Sequence, residues 1–92
     1  MDKMEEFREN INKIDKQIIE LLGHRFGICR HVAEYKKANK IPMMQPSRVT
    51  EVKEKCSTLA LANSVDPTFI RKLYEFIIKE ACRLEDIIID EA

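Results

Sequence analysis

Glycine and proline are scarce, with two and three copies in 92 residues. These residues permit or force breaks in regular structure. Their scarcity argues against a turn-rich fold and suits long helices with few connections. No alternating β-branched run stands out as a strand, and the one dense apolar cluster near the end, Ile87-Ile88-Ile89, is short and flanked by acids. No apolar run approaches the ~20 residues that cross a bilayer. The opening MDKMEEFREN has no apolar centre of the kind that marks a secretory signal, so the expected location is cytoplasmic. Excess charge is missing as well. Sixteen basic and sixteen acidic residues leave a net charge of zero, which argues against general nucleic-acid binding.

The usual chemical equipment is also thin. Three cysteines, Cys29, Cys56 and Cys82, are an odd number without a close pair. They read as reduced thiols rather than a disulfide frame or metal site. No glycine-rich phosphate loop exists, and no Cys or His spacing suits zinc. His24 and His31 lie seven apart with no acid or thiol placed to complete a triad, so both are expected on the surface. Chemistry in this chain therefore has to work without a nucleophile or a metal.

What is abundant is helical pattern. Over Glu5 to Lys37, apolar residues follow a heptad: Met4, Ile11, Ile18 and Val32 at one position, Phe7, Ile14, Leu21, Ile28 and Tyr35 at the other. This predicts one amphipathic helix packed along a seam. Arg25 breaks the seam. A guanidinium cannot shed its charge, so it needs either a facing carboxylate or a ligand that carries one. Lys36, eleven residues on, points nearly the same way, after about three turns. Arg8, seventeen residues before Arg25, is turned about 100° around the helix and lies about 25 Å away along it. It does not easily join them around one small ligand within its own helix, whereas a second, antiparallel copy of the helix could bring it there.

A break at Ala38-Asn39-Lys40-Ile41-Pro42 ends this helix. The loop Asn39 to Gln45 has an apolar middle, Ile41-Pro42-Met43-Met44, that suits either a staple into the next helix or a lid over a pocket. A second helix is predicted from Pro46 to about Ala62, with Val49, Val52, Cys56 and Leu59 as a thin apolar stripe. Arg48 lies in its first turn, where the helix dipole disfavours a cation, a hint that it serves another purpose. Asn63-Ser64-Val65 makes a turn. Asp66-Pro67 then caps and opens a third helix to about Asp90. Its stripe is Ile70, Leu73, Tyr74, Ile77, Ala81, Leu84 and Ile88, and Glu85 falls inside it. A carboxyl there either pairs with a cation or has a raised pKa. The fold class predicted is all-α, one domain over residues 1–92: three helices, long, short and long. A helix of thirty-odd residues spans about 45–50 Å, more than one small chain can cover, so an intertwined homodimer is expected. A monomeric bundle with a protruding first helix is the alternative.

Several motifs together now carry a resemblance: Phe-Arg-Glu-Asn-Ile-Asn-Lys-Ile-Asp (7–15), Leu-Leu-Gly-His-Arg (21–25), Val-Ala-Glu-Tyr-Lys-Lys (32–37), Ile-Pro-Met-Met-Gln-Pro-Ser-Arg-Val (41–49), and the spacing of Asp66-Pro67-Thr68-Phe69-Ile70 to Glu85. Nearly the whole chain resembles the all-helical AroQ-class chorismate mutases, a family that includes isochorismate–pyruvate lyases. The resemblance implies an intertwined three-helix homodimer, no cofactor, no metal, and a small dicarboxylate substrate, chorismate or isochorismate. It implies that Arg25, Lys36 and Arg48 serve the site from one subunit and that Arg8 enters from the other. It places Glu85, with Lys36, near the ether oxygen of the substrate. The rate is then expected to fall as pH rises through the pKa of Glu85. Three positions depart from the common mutase pattern. Val49 follows the second-helix arginine where many mutases carry Glu or another polar residue for the ring hydroxyl. Gln45 stands where an acid is frequent, and Ala81 where a small polar residue is common. Gln45 remains available to the hydroxyl from the loop. An apolar residue at 49 also resembles the lyases, and a mutase of a related chorismate derivative is a further alternative. From another class, a helical dimer that binds an aromatic acid without turnover is the third reading, and the charged seam argues against it.

Overall fold

The computed structural model describes residues 2–42 and 45–91, and these form three α-helices with no strand among them. They are α1 (Lys3–Asn39), α2 (Pro46–Ala62) and α3 (Pro67–Asp90). Both α1 and α2 pack on α3. Among the described residues no helix is long and apolar enough to cross a membrane.

Each helix boundary has a local cause. The Asp2 carboxylate accepts from the Glu5 backbone N–H at 2.8 Å, which starts α1 two residues before the apolar pattern suggests. At the other end, Lys40 takes a left-handed conformation (φ 54°, ψ 41°). The Ile41 N–H then bonds back to the Lys36 carbonyl at 2.9 Å, and the Lys40 N–H to the Lys37 carbonyl at 3.5 Å. This double closure is the Schellman arrangement, here formed without the usual glycine. It ends α1 at Asn39, within the predicted break. Pro46 opens α2 and Pro67 opens α3. The Asp66 carboxylate accepts from the Thr68 N–H at 3.2 Å, as the Asp-Pro pair predicts.

The predicted seam of α1 is not the face that meets α3. The stripe turned inward is Leu22, Phe26, Cys29, Ala33 and Lys36, with Arg25 at its margin; Ala33 is fully buried and the others partly so. Met4, Phe7, Ile11, Ile14, Ile18, Leu21, Ile28 and Tyr35 are about half exposed or more. From Asp2 to Leu21 every residue is exposed, so half of α1 projects beyond the rest of the chain. The extents are 56 × 26 × 15 Å and the radius of gyration is 16.7 Å, against about 12 Å for a compact chain of this length. Among the described residues no large apolar side chain is fully buried, and the buried set is Ala33, Ala60, Ala81, Ser57 and Glu85.

The stripe on α2 also differs by one residue. Val49, Val52 and Cys56 are partly buried, but Leu59 is exposed, and Ser57 and Ala60 face inward instead. Small residues at 57 and 60 let α2 approach α3 closely. The Ser57 hydroxyl donates to its own helix at the Lys53 carbonyl, 2.7 Å away, so burial leaves it satisfied. The loop over 39–45, for which a staple or a lid was expected, includes Met43 and Met44, which lie outside the described residues.

Candidate functional site

One cavity of about 330 Å³ opens where the three helices converge, within the usual size of small-molecule sites, roughly 300–1,000 Å³. α1 contributes Arg25, Cys29, Val32 and Lys36. These follow one another at three- or four-residue steps, which is one helical face. Gln45, Arg48 and Val49 enter from the start of α2, and Ile78, Ala81, Cys82 and Glu85 from α3. Seven of the eight residues singled out from sequence thus share one hollow. Arg8 does not line it and is exposed on the projecting half of α1. The spacing from Arg25 to Lys36 and from Ala81 to Glu85 would also have identified Cys29, Val32, Ile78 and Cys82.

The charge inside is lopsided. Arg25, Lys36 and Arg48 face a single carboxyl, Glu85, although the chain as a whole is neutral. The Glu85 residue is 8% exposed. Lys36 Nζ lies 3.7 Å from Glu85 Oε1, an ion-pair contact longer than a hydrogen bond, and Oε1 accepts no hydrogen bond among the described residues. Burial pushes the Glu85 pKa above the ordinary carboxylate value; Lys36 pulls it back, and the net direction is upward. Both halves of the expectation for this position, a cation partner and a raised pKa, are therefore present. A buried carboxyl that keeps its proton becomes a hydrogen-bond donor aimed into the cavity.

The end of α1 is held so that this pair meets. Lys37 Nζ donates to the Ile88 carbonyl at 3.0 Å and to the Glu91 carbonyl. These are carbonyls that the end of α3 leaves without helical partners. The same cross-link, one residue after Lys36, fixes the approach of α1 to the turn that carries Glu85.

Arg48 reaches Glu51 at 3.0 Å, and Lys55 shares that carboxylate at 2.9 Å. Lys55 first, then Arg48, hold the Glu51 pKa below its ordinary value. This acid offsets the unfavourable position of Arg48 in the first turn. The pair is exposed and weakly held, so an anion in the cavity competes for the guanidinium. Gln45 occupies the cap position of α2, but its side chain makes no cap hydrogen bond and lines the cavity instead.

Among the described residues Arg25 does not meet the facing carboxylate that its place in the seam suggested. Among the described residues no carboxylate lies within ion-pair distance of it. Its Nη1 donates to Cys29 Sγ at 3.8 Å, and its Cζ lies 5.8 Å from the centre of the Tyr74 ring. Burial, followed by Glu85 and Asp86, raises the Cys82 thiol pKa, so Cys82 presents no thiolate nucleophile. Both histidines are exposed, and His31 lies 3.5 Å from Glu34. No group of three potential metal ligands occurs among the described residues. A second hollow between α2 and α3 is slightly larger, about 380 Å³, but it holds two lysines, Lys53 and Lys79, and no arginine, and Lys53 lies 3.2 Å from Glu75. Chemistry rather than size distinguishes the two. The first cavity has apolar walls and three cations, which suits a small dianion with a carbocyclic body.

A family model described as chorismate mutase type II matches residues 7–86. Among curated proteins, the 4-amino-4-deoxychorismate mutase of Streptomyces pristinaespiralis is 36% identical over 85 residues, which cover 92% of this chain and 66% of that protein. A protein of the same name from Streptomyces venezuelae is 31% identical over 87 residues, 95% of this chain and 84% of that one. The chorismate mutase of Methanocaldococcus jannaschii is 26% identical over 91 residues, 99% of this chain and 92% of its own length.

Proposed function

The chain belongs to the chorismate mutase type II family, and we propose that its three-helix cavity rearranges chorismate to prephenate. The observation that carries this reading is three cations and a carboxyl of raised pKa on otherwise apolar walls. The rearrangement is concerted: one carbon–oxygen bond breaks as a carbon–carbon bond forms, with no proton transfer and no covalent intermediate. The protein's work is to select the compact diaxial conformer and to stabilise negative charge growing on the ether oxygen. Arg25 and Arg48 hold the carboxylates, bidentate where the fork allows. Lys36 gives the ether oxygen a cation, and protonated Glu85 donates a second hydrogen bond to it.

The remaining partner is a second copy of the chain. The exposed apolar seam of α1 supports an antiparallel pairing in which Arg8 enters the other subunit's cavity. Every residue of α1 up to Leu21 is exposed in the single chain, and the heptad there supplies the matching surface.

A second reading is favoured by Val49. It lines the cavity beside Arg48 and supplies neither charge nor acceptor for the ring substituent. The Gln45 amide oxygen accepts equally from a hydroxyl or an amine. Two relatives that align over more than nine-tenths of the chain, at 36% and 31% identity, are named for 4-amino-4-deoxychorismate, and that substrate fits the same carboxylate clamp. The test offers the purified protein chorismate, 4-amino-4-deoxychorismate and isochorismate in separate reactions and identifies the products. Prephenate from chorismate is the expected result. Preferred turnover of the amino compound would move the chain to the second reading. Salicylate and pyruvate from isochorismate would place it with the lyases, and no turnover of any would refute the catalytic reading.

The pH dependence follows from Glu85. Its folded-state pKa is raised, so the donating, protonated form persists above the ordinary carboxylate range and is lost as pH rises through the raised value. The rate is expected to fall across that window, and Glu85→Gln, which donates at every pH, to give a flat profile. An equally steep fall in the variant would remove Glu85 from this role. The same proton makes the folded state bind more protons than the unfolded chain there, so stability declines in the same direction.

A further inference from the structure

Among the described residues no carboxylate lies within ion-pair distance of Arg25, and the side chains that contact it, Tyr74 and Cys29, are neutral. Tyr74, on α3, does not line the cavity, but its ring centre is 5.8 Å from the Arg25 guanidinium carbon. Cys29, one turn along α1, accepts from Nη1 at 3.8 Å. Burial, and then the neighbouring Cys56 thiol, raise the pKa of the Tyr74 phenol, so it stays uncharged beside the arginine. A guanidinium on a long side chain has rotamer freedom that it must give up when it binds an anion. A carboxylate could restrain it but would occupy the N–H fork that the ligand needs. An aromatic face restrains the plane of the guanidinium and leaves the edge N–H groups and the full charge available.

We infer that Tyr74 is a positioning residue for Arg25: its ring pre-orients the guanidinium toward the cavity for a substrate carboxylate without neutralising it. This rests on the function proposed above only for the identity of the carboxylate. The contact is made before substrate arrives and serves ground state and transition state alike, so its loss raises KM and leaves kcat nearly unchanged.

The test compares Tyr74→Phe, which keeps the ring face, with Tyr74→Leu, which removes it. Tyr74→Leu is expected to raise KM roughly two- to fivefold, the size of a half-exposed cation–π contact. Tyr74→Phe should stay near wild type. In an Arg25→Ala background the leucine substitution should add nothing. A second readout needs no turnover. The Arg25 Nε–H proton should carry an upfield ring-current shift in the wild type and in Tyr74→Phe, and lose it in Tyr74→Leu. Equal losses in the Phe and Leu variants would overturn the inference, as would a Leu effect that persists without Arg25 or an Arg25 resonance indifferent to the ring. If the wild type turns over none of the three candidate substrates, the proposed function falls, and the Arg25 resonance still decides the role of Tyr74.

Discussion

Lys36→Met is expected to lower kcat on chorismate by about a hundredfold to a thousandfold, the usual cost of removing a donor aimed at developing negative charge. Methionine keeps the apolar stem that packs on the cavity wall, so the change isolates the charge. The effect should fall on kcat more than on KM, because the ether oxygen carries little charge until its bond begins to break. The substitution also removes the cation 3.7 Å from Glu85. That carboxyl should then take its proton at still higher pH, which keeps it neutral and avoids an unpaired buried charge. The melting temperature is accordingly expected to change little. Initial rates and a thermal scan on the same sample check both halves. A loss of less than tenfold would mean that Lys36 serves binding or packing rather than the breaking bond.

The second large effect concerns Arg8. Arg8→Ala and Arg25→Ala are each expected to depress activity by about a hundredfold or more, since each removes a charged hydrogen bond to a substrate carboxylate in a dry site. Refolding the two variants together gives a sharper outcome. If Arg8 serves the other subunit, a mixed dimer has one site with both arginines and one with neither. Random pairing makes half the dimers mixed, so activity should return to about a quarter of wild type. Recovery requires Arg8 and Arg25 of one site to come from different chains. If Arg8 were a solvated surface residue, Arg8→Ala would be close to wild type from the start. If it acted within its own chain, the mixture would recover nothing.

Local chemistry was the most legible part of this chain. Pro46, Asp66 and Pro67 mark helix starts because their backbone and side-chain preferences act over one turn, and the structure places α2 and α3 where they indicate. The capping devices of α1 were less legible than its extent. Asp2 caps from outside the apolar pattern, and the Lys40 closure uses a residue type that rarely takes a left-handed conformation. Glu85 was legible because a carboxyl on an apolar stripe has few physical outcomes. Periodicity says that a face is covered without saying by what. The heptad of α1 suggested burial, yet within the chain α3 meets the adjacent stripe through Cys29, Ala33 and Lys36. Leu59 failed for a related reason: close helix approach selected the small Ser57 and Ala60 over the larger apolar side chain. Tyr74 could be assigned to the third-helix stripe, but its position against Arg25 depends on how two helices cross, which one sequence does not encode in its spacing.

The small buried set also has a consequence for dilution. Among the described residues only three alanines, a serine and one glutamate are buried, so the single chain contains little cohesion of its own. With the second copy proposed above, most apolar burial is shared between chains, so folding and association are one equilibrium and follow mass action. Specific activity then becomes a function of protein concentration. Below the dissociation constant each subunit loses its partner's Arg8 together with the support that keeps its own cavity in shape. Substrate, by binding only the assembled form, would hold the two chains together.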